Sequence, residues 1–276
     1  METNIDGYPR PTTGSATLDV LEHRSSTRAF ARGEDGAPVP VTDEQRVAIL
    51  HAASRAPSAG AMMMYSIISI RSQETRDRLA ELCDHQPMIA RAPWALVFLV
   101  DYAKWIDLFE HTGCFEPEFI ERTGKLPRRT PGMGDFAIAA QDAVIAAQNA
   151  VVAAEALGLG TCYIGDIVEN AEQVAELLDL PAHAMPLSML IIGTPAKERP
   201  AIAHPVVNLV HEERYRRADA ATMDAQVAEM DAMFRPHARE AGERVVDIYT
   251  RKHTSDFMAE MDRSVRLWLK NWLGKE

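Results

Sequence analysis

Residues 135–157 constrain this chain more than any other stretch: DFAIAAQDAVIAAQNAVVAAEAL carries apolar side chains nearly all the way round a helical wheel, broken by a few polar ones. A surface helix shows one apolar stripe, whereas a helix apolar on every side has to be enclosed by other elements. The segment is therefore expected as a long, buried central helix with the other elements packed around it. Gly158 follows it at a position suited to a C′ residue, where the absence of Cβ permits a left-handed turn.

The flanking segments supply the layers. Thr42-Asp43-Glu44-Gln45 has the capping-box pattern ahead of VAILHAASRA and predicts a helix over 43–55 that stops before Pro57. Residues 65–71 read as strand and 73–83 as helix, and WALVFLVD, Trp94 to Asp101, reads as a strand buried on both faces. A strand at 161–166, a helix at 170–180 and a strand at 186–193 follow. Residues 113–133, rich in Gly, Pro and charge, are expected as a long loop whose length suits a lid or binding loop. After Tyr215, amphipathic helices are expected around 219–234 and 255–272, docking on the main body or on a partner through Trp268 and Trp272. The pattern divides into a main domain over 15–212 and a helical C-terminal extension over 213–276.

With 276 residues, 47% of them hydrophobic, the chain can bury a sizeable core without staples. Cys83, Cys114 and Cys162 lie far apart with no CxxC pair, which argues against a disulfide framework or a cysteine zinc site and fits a reducing compartment. The N-terminus has neither a basic n-region nor an apolar h-region, and the longest uninterrupted apolar stretch, 92–100, is too short to cross a bilayer. A cytoplasmic protein with no membrane partner is expected. A formal net charge of −11 would repel a phosphate backbone, so nucleic acid is not expected as a partner. The basic runs at 122–129 and 214–217 read either as solvated faces or as grips for a small anion. HExxH, GxSxG and P-loop patterns are absent, and GLGTCYIG follows a helix where a dinucleotide fingerprint needs a strand. No metal site is expected.

Three dispersed segments say more together. HRSSTRAF, from His23 to Phe30, gathers two arginines and three hydroxyls at the end of a short predicted helix, a set that could hold a phosphate or could be an ordinary solvated helix end. APSAGAMMMYSII, residues 56–68, is a turn running into a strand. AAQNAVVAAEALGLGTCYIGD, residues 146–166, is the central helix with its exit. In that order the three resemble the flavin-dependent nitroreductase family, over roughly residues 18–210.

The resemblance implies an α+β, nitroreductase-like fold: a mostly antiparallel central sheet flanked by helices around the long buried helix, with the helical extension added. It implies a homodimer that binds FMN at the subunit interface, takes electrons from NADH or NADPH and passes them to a small-molecule acceptor such as a nitroaromatic or a quinone. No side chain is implied as a catalytic group, because the hydride moves through flavin N5. By the same resemblance Arg24, Ser25 and Ser26 contact the FMN phosphate and ribityl chain, and Arg28 lies beside the flavin pyrimidine; a structural salt bridge is the other reading of Arg28. Pro57, Ser58 and Ala59 match the turn offered by the second subunit. Ile164 and Gly165 match the place where backbone amides face flavin N5, with a mere tight turn as the alternative for the glycine. Gln86 matches an amide directed at the ring or is a surface amide, and Arg199 is a candidate for the late basic residue at the phosphate, although Ala203 and His204 occupy the nearest matching places.

The chain departs from the family pattern after its turn: where many relatives continue with Asn, any residue, Gln, Pro and Trp, it has Ala61, Met62, Met63, Met64 and Tyr65. The methionines either fill core gaps or, for Met63, form an apolar wall beside the flavin. The loss of the amides keeps open a flavin-binding or flavin-consuming protein without nitroreductase turnover. A cofactor-free interaction protein built on the C-terminal helices is the third reading.

Overall fold

The computed structural model describes residues 15–125, 128–197, 207–237 and 239–274. The chain forms two compact units, one of residues 1–24 and 200–259, the other of residues 25–199 and 260–276.

The larger unit is built on a four-stranded antiparallel sheet of β1 (Tyr65–Ile70), β2 (Trp94–Asp101), β3 (Gly160–Ile164) and β4 (Ala184–Gly193), in the order β1-β2-β4-β3. Every residue of β2 is buried, as its unbroken apolar run requires. Helix α2 (Asp43–Ser54) carries the expected capping box, with the Thr42 hydroxyl accepting from Gln45 N–H and the Gln45 amide oxygen accepting from Thr42 N–H. It packs along α7 (Met133–Ala156), and α7 lies across all four strands. Alanines 139, 143, 146, 147, 150 and 154 make the buried side of α7, small enough to seat the helix close to the sheet.

The opposite side of α7 departs from the expectation of full burial: Ile138, Val144 and Ile145 are exposed. By length and composition α7 could also cross a membrane, a test that the core helix of a soluble protein passes equally.

The loop expected over 113–133 contains helix α6 (Pro117–Thr123), which starts with Pro117 in its first turn and stops at left-handed Gly124. Reading the Gly, Pro and charge of this stretch as loop composition missed that the proline and the glycine stand at opposite ends of a short helix. Before it, α5 (Ala103–His111) was also unforeseen. Between β1 and β2 lie α3 (Gln73–Leu82) and the short α4 (Pro87–Arg91), and α8 (Ala171–Leu178) precedes β4.

The smaller unit includes α1 (Ala16–His23), α9 (Ala220–Phe234) and α10 (Glu243–Ile248), the last running into a π turn over 249–253. Asp231, buried on α9, accepts hydrogen bonds from the N–H groups of Gly242 and Arg244 and so caps the start of α10. Asp247 pairs with Arg235, Arg244 and Arg251.

Helix α11 (Asp256–Trp272) anchors its residues from Glu260 onward into the larger unit. The indole N–H of Trp268 donates to the Val168 carbonyl at 2.9 Å and that of Trp272 to the Gly132 carbonyl at 3.1 Å, and both rings are buried. Glu260 completes the anchor: Oε1 accepts from Asn170 N–H at 3.1 Å and from the Ser264 hydroxyl at 2.7 Å, while Oε2 pairs with Arg263 at 2.8 Å. Arg263 beside it, with the Ser264 and Asn170 donors, outweighs burial and holds the Glu260 carboxyl down at about 2. A carboxylate depressed in the fold stabilises it above the ordinary value of 4.5, and that contribution is lost as the pH falls toward 2. Urea midpoints measured from pH 6 downward should decline through this window, and Glu260→Gln should be less stable at pH 6 with a shallower acid decline.

Candidate functional site

The turn between α2 and β1 is built from α7. Asp142 is the one charged side chain that α7 buries, and its two oxygens go to backbone: Oδ1 accepts from Ala59 N–H at 3.0 Å and Oδ2 from Met64 N–H at 3.2 Å. Between those donors the chain turns through left-handed Gly60 (φ 58°), Ala61 (φ 55°) and Met63 (φ 46°). For the two non-glycine residues that conformation costs about 1–2 kcal/mol each. Further contacts fix the turn: Ser58 Oγ accepts from Met63 N–H at 3.1 Å, and the Trp105 indole donates to the Met62 carbonyl at 2.9 Å. With its oxygen accepting this bond, the Ser58 hydroxyl still has a hydrogen to donate.

The three methionines enter three environments. Met64 is buried, Met62 half-buried and Met63 45% exposed, so core filling accounts for Met64 and not for Met63. Lys104 stands below the turn, its ammonium donating to the Tyr65 carbonyl at 2.5 Å. Burial pulls the Lys104 pKa down against the opposing charges of Asp101 and Asp142. The Tyr65 phenol is pushed up by burial and by Asp142.

The second group lies on β3. Ser26 pairs with Thr161 in an isolated parallel bridge, Thr27 N–H donates to the Thr161 carbonyl at 2.8 Å, and the Thr161 hydroxyl donates to Glu155 on α7 at 2.6 Å. Ser25 and Thr27 are buried, and Arg28 is exposed with no ion pair among the described residues. Gly160 lets this strand approach: a Cβ there would sit 2.2 Å from Thr27 Oγ1. At the far end of β3 Ile164 is buried, and Gly165 has an ordinary φ of −78° with open space where its Cβ would point. Gly165 opens the short 3-10 turn 166–168, with Val168 N–H donating to its carbonyl at 3.2 Å, and neither its φ nor its surroundings demand glycine.

Arg24, in the smaller unit, closes α1, its N–H donating to the Val20 carbonyl at 3.0 Å. Gln86 is half-buried and opens α4 after left-handed Asp84 and His85. Asn170 reaches that turn through its amide, which donates to the Leu82 carbonyl at 2.7 Å, so Gln86 shares a neighbourhood with the segment following Gly165. Cys83 in this neighbourhood is inert, its thiol pushed up by burial and by Asp166 and Glu169. Arg199, with Ala203 and His204, lies outside the described residues.

The structure thus keeps the two sequence groups apart. Asp142 and Glu155, which mark them on α7, are separated by about 20 Å of helix axis at ~1.5 Å per residue.

A family model described as the nitroreductase family matches residues 21–194. The chain belongs to the nitroreductase family. An FMN reductase [NAD(P)H] of Bacillus subtilis is 34% identical over 190 residues, 68% of this chain and 72% of that protein. An oxygen-insensitive NADPH nitroreductase of Salmonella typhimurium is 33% identical over 78% of this chain and 82% of its own. Among solved structures, the NADPH:FMN oxidoreductase from Vibrio harveyi complexed with NAD+ matches 86% of this chain and 97% of that one, at a TM-score of 0.66 and 26% identity. These matches agree with the antiparallel sheet and long central helix in establishing the nitroreductase fold.

Sequence reasoning about this nitroreductase missed Asp142. Its signal is visible in retrospect: a lone carboxylate among the alanines of a buried helical face requires partners from another element.

Adding one methyl at the closest approach tests the second group. Gly160→Ala should destabilise the protein by about 1–3 kcal/mol, since the added methyl would overlap the Thr27 side chain, whose Cβ as well as its hydroxyl lies in the way. Thermal denaturation reads the loss, and an unchanged Tm would show that β3 is not held against Thr27.

Proposed function

We infer that this chain is an FMN-dependent NAD(P)H oxidoreductase acting on electron-poor small molecules such as nitroaromatics or quinones. Family membership and the relatives' activities support the class, and the cofactor reading is carried by the arginine and hydroxyl set at 24–28, where Arg28 is exposed with no ion pair among the described residues, beside a backbone pinned to β3. Among the described residues no ion pair supports the salt-bridge reading of Arg28. The residues present fit the group: arginines and hydroxyls suit a phosphate, the free hydrogen of Ser58 suits a polar ligand edge, and Gly165 offers open backbone.

In this reading Arg24, Ser25 and Ser26 hold the phosphate and ribityl chain, and Arg199 is a further phosphate candidate. Arg28 presents a fixed positive charge to the pyrimidine edge, where reduction leaves negative charge. Ile164 and Gly165 bring backbone up to the ring, and Gln86 supplies an amide from the adjoining turn. Pro57, Ser58, Ala59 and Met63 close the site from a second copy of the chain. FMN, when bound, supplies hydride chemistry at N5, accepting from NADH or NADPH in one half-reaction and giving to the acceptor in the other. The protein's part is to orient both partners, so no nucleophile or general acid is required of a side chain.

The second copy has structural support in the separation of the two groups along α7 and in the exposed side of that helix. Ile138, Val144 and Ile145 form an apolar stripe that a partner would cover. We read the protein as a cytoplasmic homodimer with sites shared across the interface.

The purified protein should be yellow, bleach on mixing with NADPH or NADH and recolour with a quinone. A flavin that stays oxidised in nicotinamide excess would instead indicate binding without turnover. Arg28→Ala should weaken FMN and lower its two-electron potential by potentiometry, and an unchanged potential in the fully flavinated variant would place Arg28 elsewhere. Ile145→Arg should sediment as a monomer and lose FMN, because one copy carries only part of each site; a monomer with full FMN occupancy would overturn the shared site.

A further inference from the structure

We propose that Asp142 is a positioning residue for the cofactor site: its buried carboxylate holds the 58–64 turn in a strained left-handed form that presents Ser58 and Met63. The proposal rests on the FMN reading for its function, whereas the holding itself stands on geometry. Asp142 is 2% exposed, and its oxygens accept from Ala59 and Met64, the residues on either side of the left-handed segment. A carboxylate is suited to this task because it is acceptor-only and takes two N–H donors at once. Hydrogen bonds to a charged acceptor are also the stronger kind, able to offset the conformational cost at Ala61 and Met63.

The strain has a geometric result. Residues of an extended strand alternate faces, so three successive methionines entering β1 would send Met62 and Met64 one way and Met63 the other. The burial follows that order, with Met64 buried and Met63 at the surface, and the left-handed backbone at Ala61 and Met63 adds a fold-back that brings Met63 N–H onto Ser58 Oγ. Without the clamp, Ala61 and Met63 would relax to ordinary φ values, and the Ser58 hydroxyl would lose the partner that orients it. Strained non-glycine residues persist only where their surroundings over-determine them, and the clamp with the Trp105 contact to the Met62 carbonyl meets that condition.

Asp142→Asn keeps the shape but can accept at only one atom and turns an amide donor toward the other N–H. Hydrogen exchange on the full chain should show the Ala59 and Met64 amides losing protection while the β2 amides keep theirs. FMN affinity, followed by flavin fluorescence, should fall roughly ten-fold or more, the worth of one charged hydrogen bond.

Ala61→Gly separates positioning from a merely structural role. Ala61 is exposed and outside the proposed contacts, and glycine there relieves the strain that Asp142 opposes. The Asp142→Asn penalty on FMN affinity should therefore shrink about three-fold or more in the Ala61→Gly background. Additive effects would overturn the proposal, since a buried charge with only a structural role has no reason to couple to that position. Retained protection at Ala59 and Met64 in Asp142→Asn would overturn it as well. If Asp142→Asn does not fold, Ala61→Gly alone decides: a raised Tm supports the strained turn, and an unchanged or lowered Tm overturns it. A wild-type protein that binds no FMN would sink the functional reading while leaving the exchange result to judge the clamp.

Discussion

A buried carboxylate on the central helix fastens the turn that sequence resemblance assigns to the cofactor. Asp142 interrupts a helical face otherwise made of alanines and Val151, and such a charge is tolerable only when its hydrogen-bonding capacity is filled. Backbone N–H groups fill it, with the Lys104 ammonium near enough to feel its charge, so the turn and the helix are fixed to each other as one part. The smaller unit uses the same device: Asp231 on α9 accepts from two backbone N–H groups at the start of α10. In both units an aspartate on one helix shapes a neighbouring segment through its backbone, leaving that segment's side chains free for other work.

What the sequence made legible was the local part. The Thr42 and Gln45 capping box, the apolar run of β2 and the length of α7 depend on residues within a few positions of one another, and each forms where expected. Helix α6 was hidden because Pro117 and Gly124 are loop formers by composition and helix boundaries by position. The left-handed residues Ala61 and Met63 were illegible for a different reason. Neither residue type favours that conformation, and the interaction that imposes it reaches across 78 residues or more from Asp142. The site residues followed a similar division. Arg28 and the serines could be picked out as a phosphate-holding set, but their register against Thr161 belongs to tertiary structure.

Met62, Met63 and Met64 show what such a constraint does to neighbouring identical residues. A flexible thioether adapts to each environment, so one residue type can be half-buried, exposed and buried in succession. Only the middle one is presented outward. At the site proposed above, an exposed thioether would offer polarizable apolar contact and no strong donor, and so would favour flat hydrophobic acceptors over polar ones.

The two faces of α7 are the remaining link between fold and function. A helix apolar on every side is explained by a monomer only if the monomer encloses it, and here Ile138, Val144 and Ile145 remain uncovered. The same helix carries Asp142 toward one end and Glu155 toward the other, so each of the two residue groups is tied to α7 by its own carboxylate. About 20 Å of helix lies between those ties within one copy. Pairing two copies over the exposed stripe would bury its apolar surface and allow one copy's turn to meet the other copy's β3 cluster. Dimerisation and completion of the site would then be one event, with the uncovered side of α7 supplying the hydrophobic driving force.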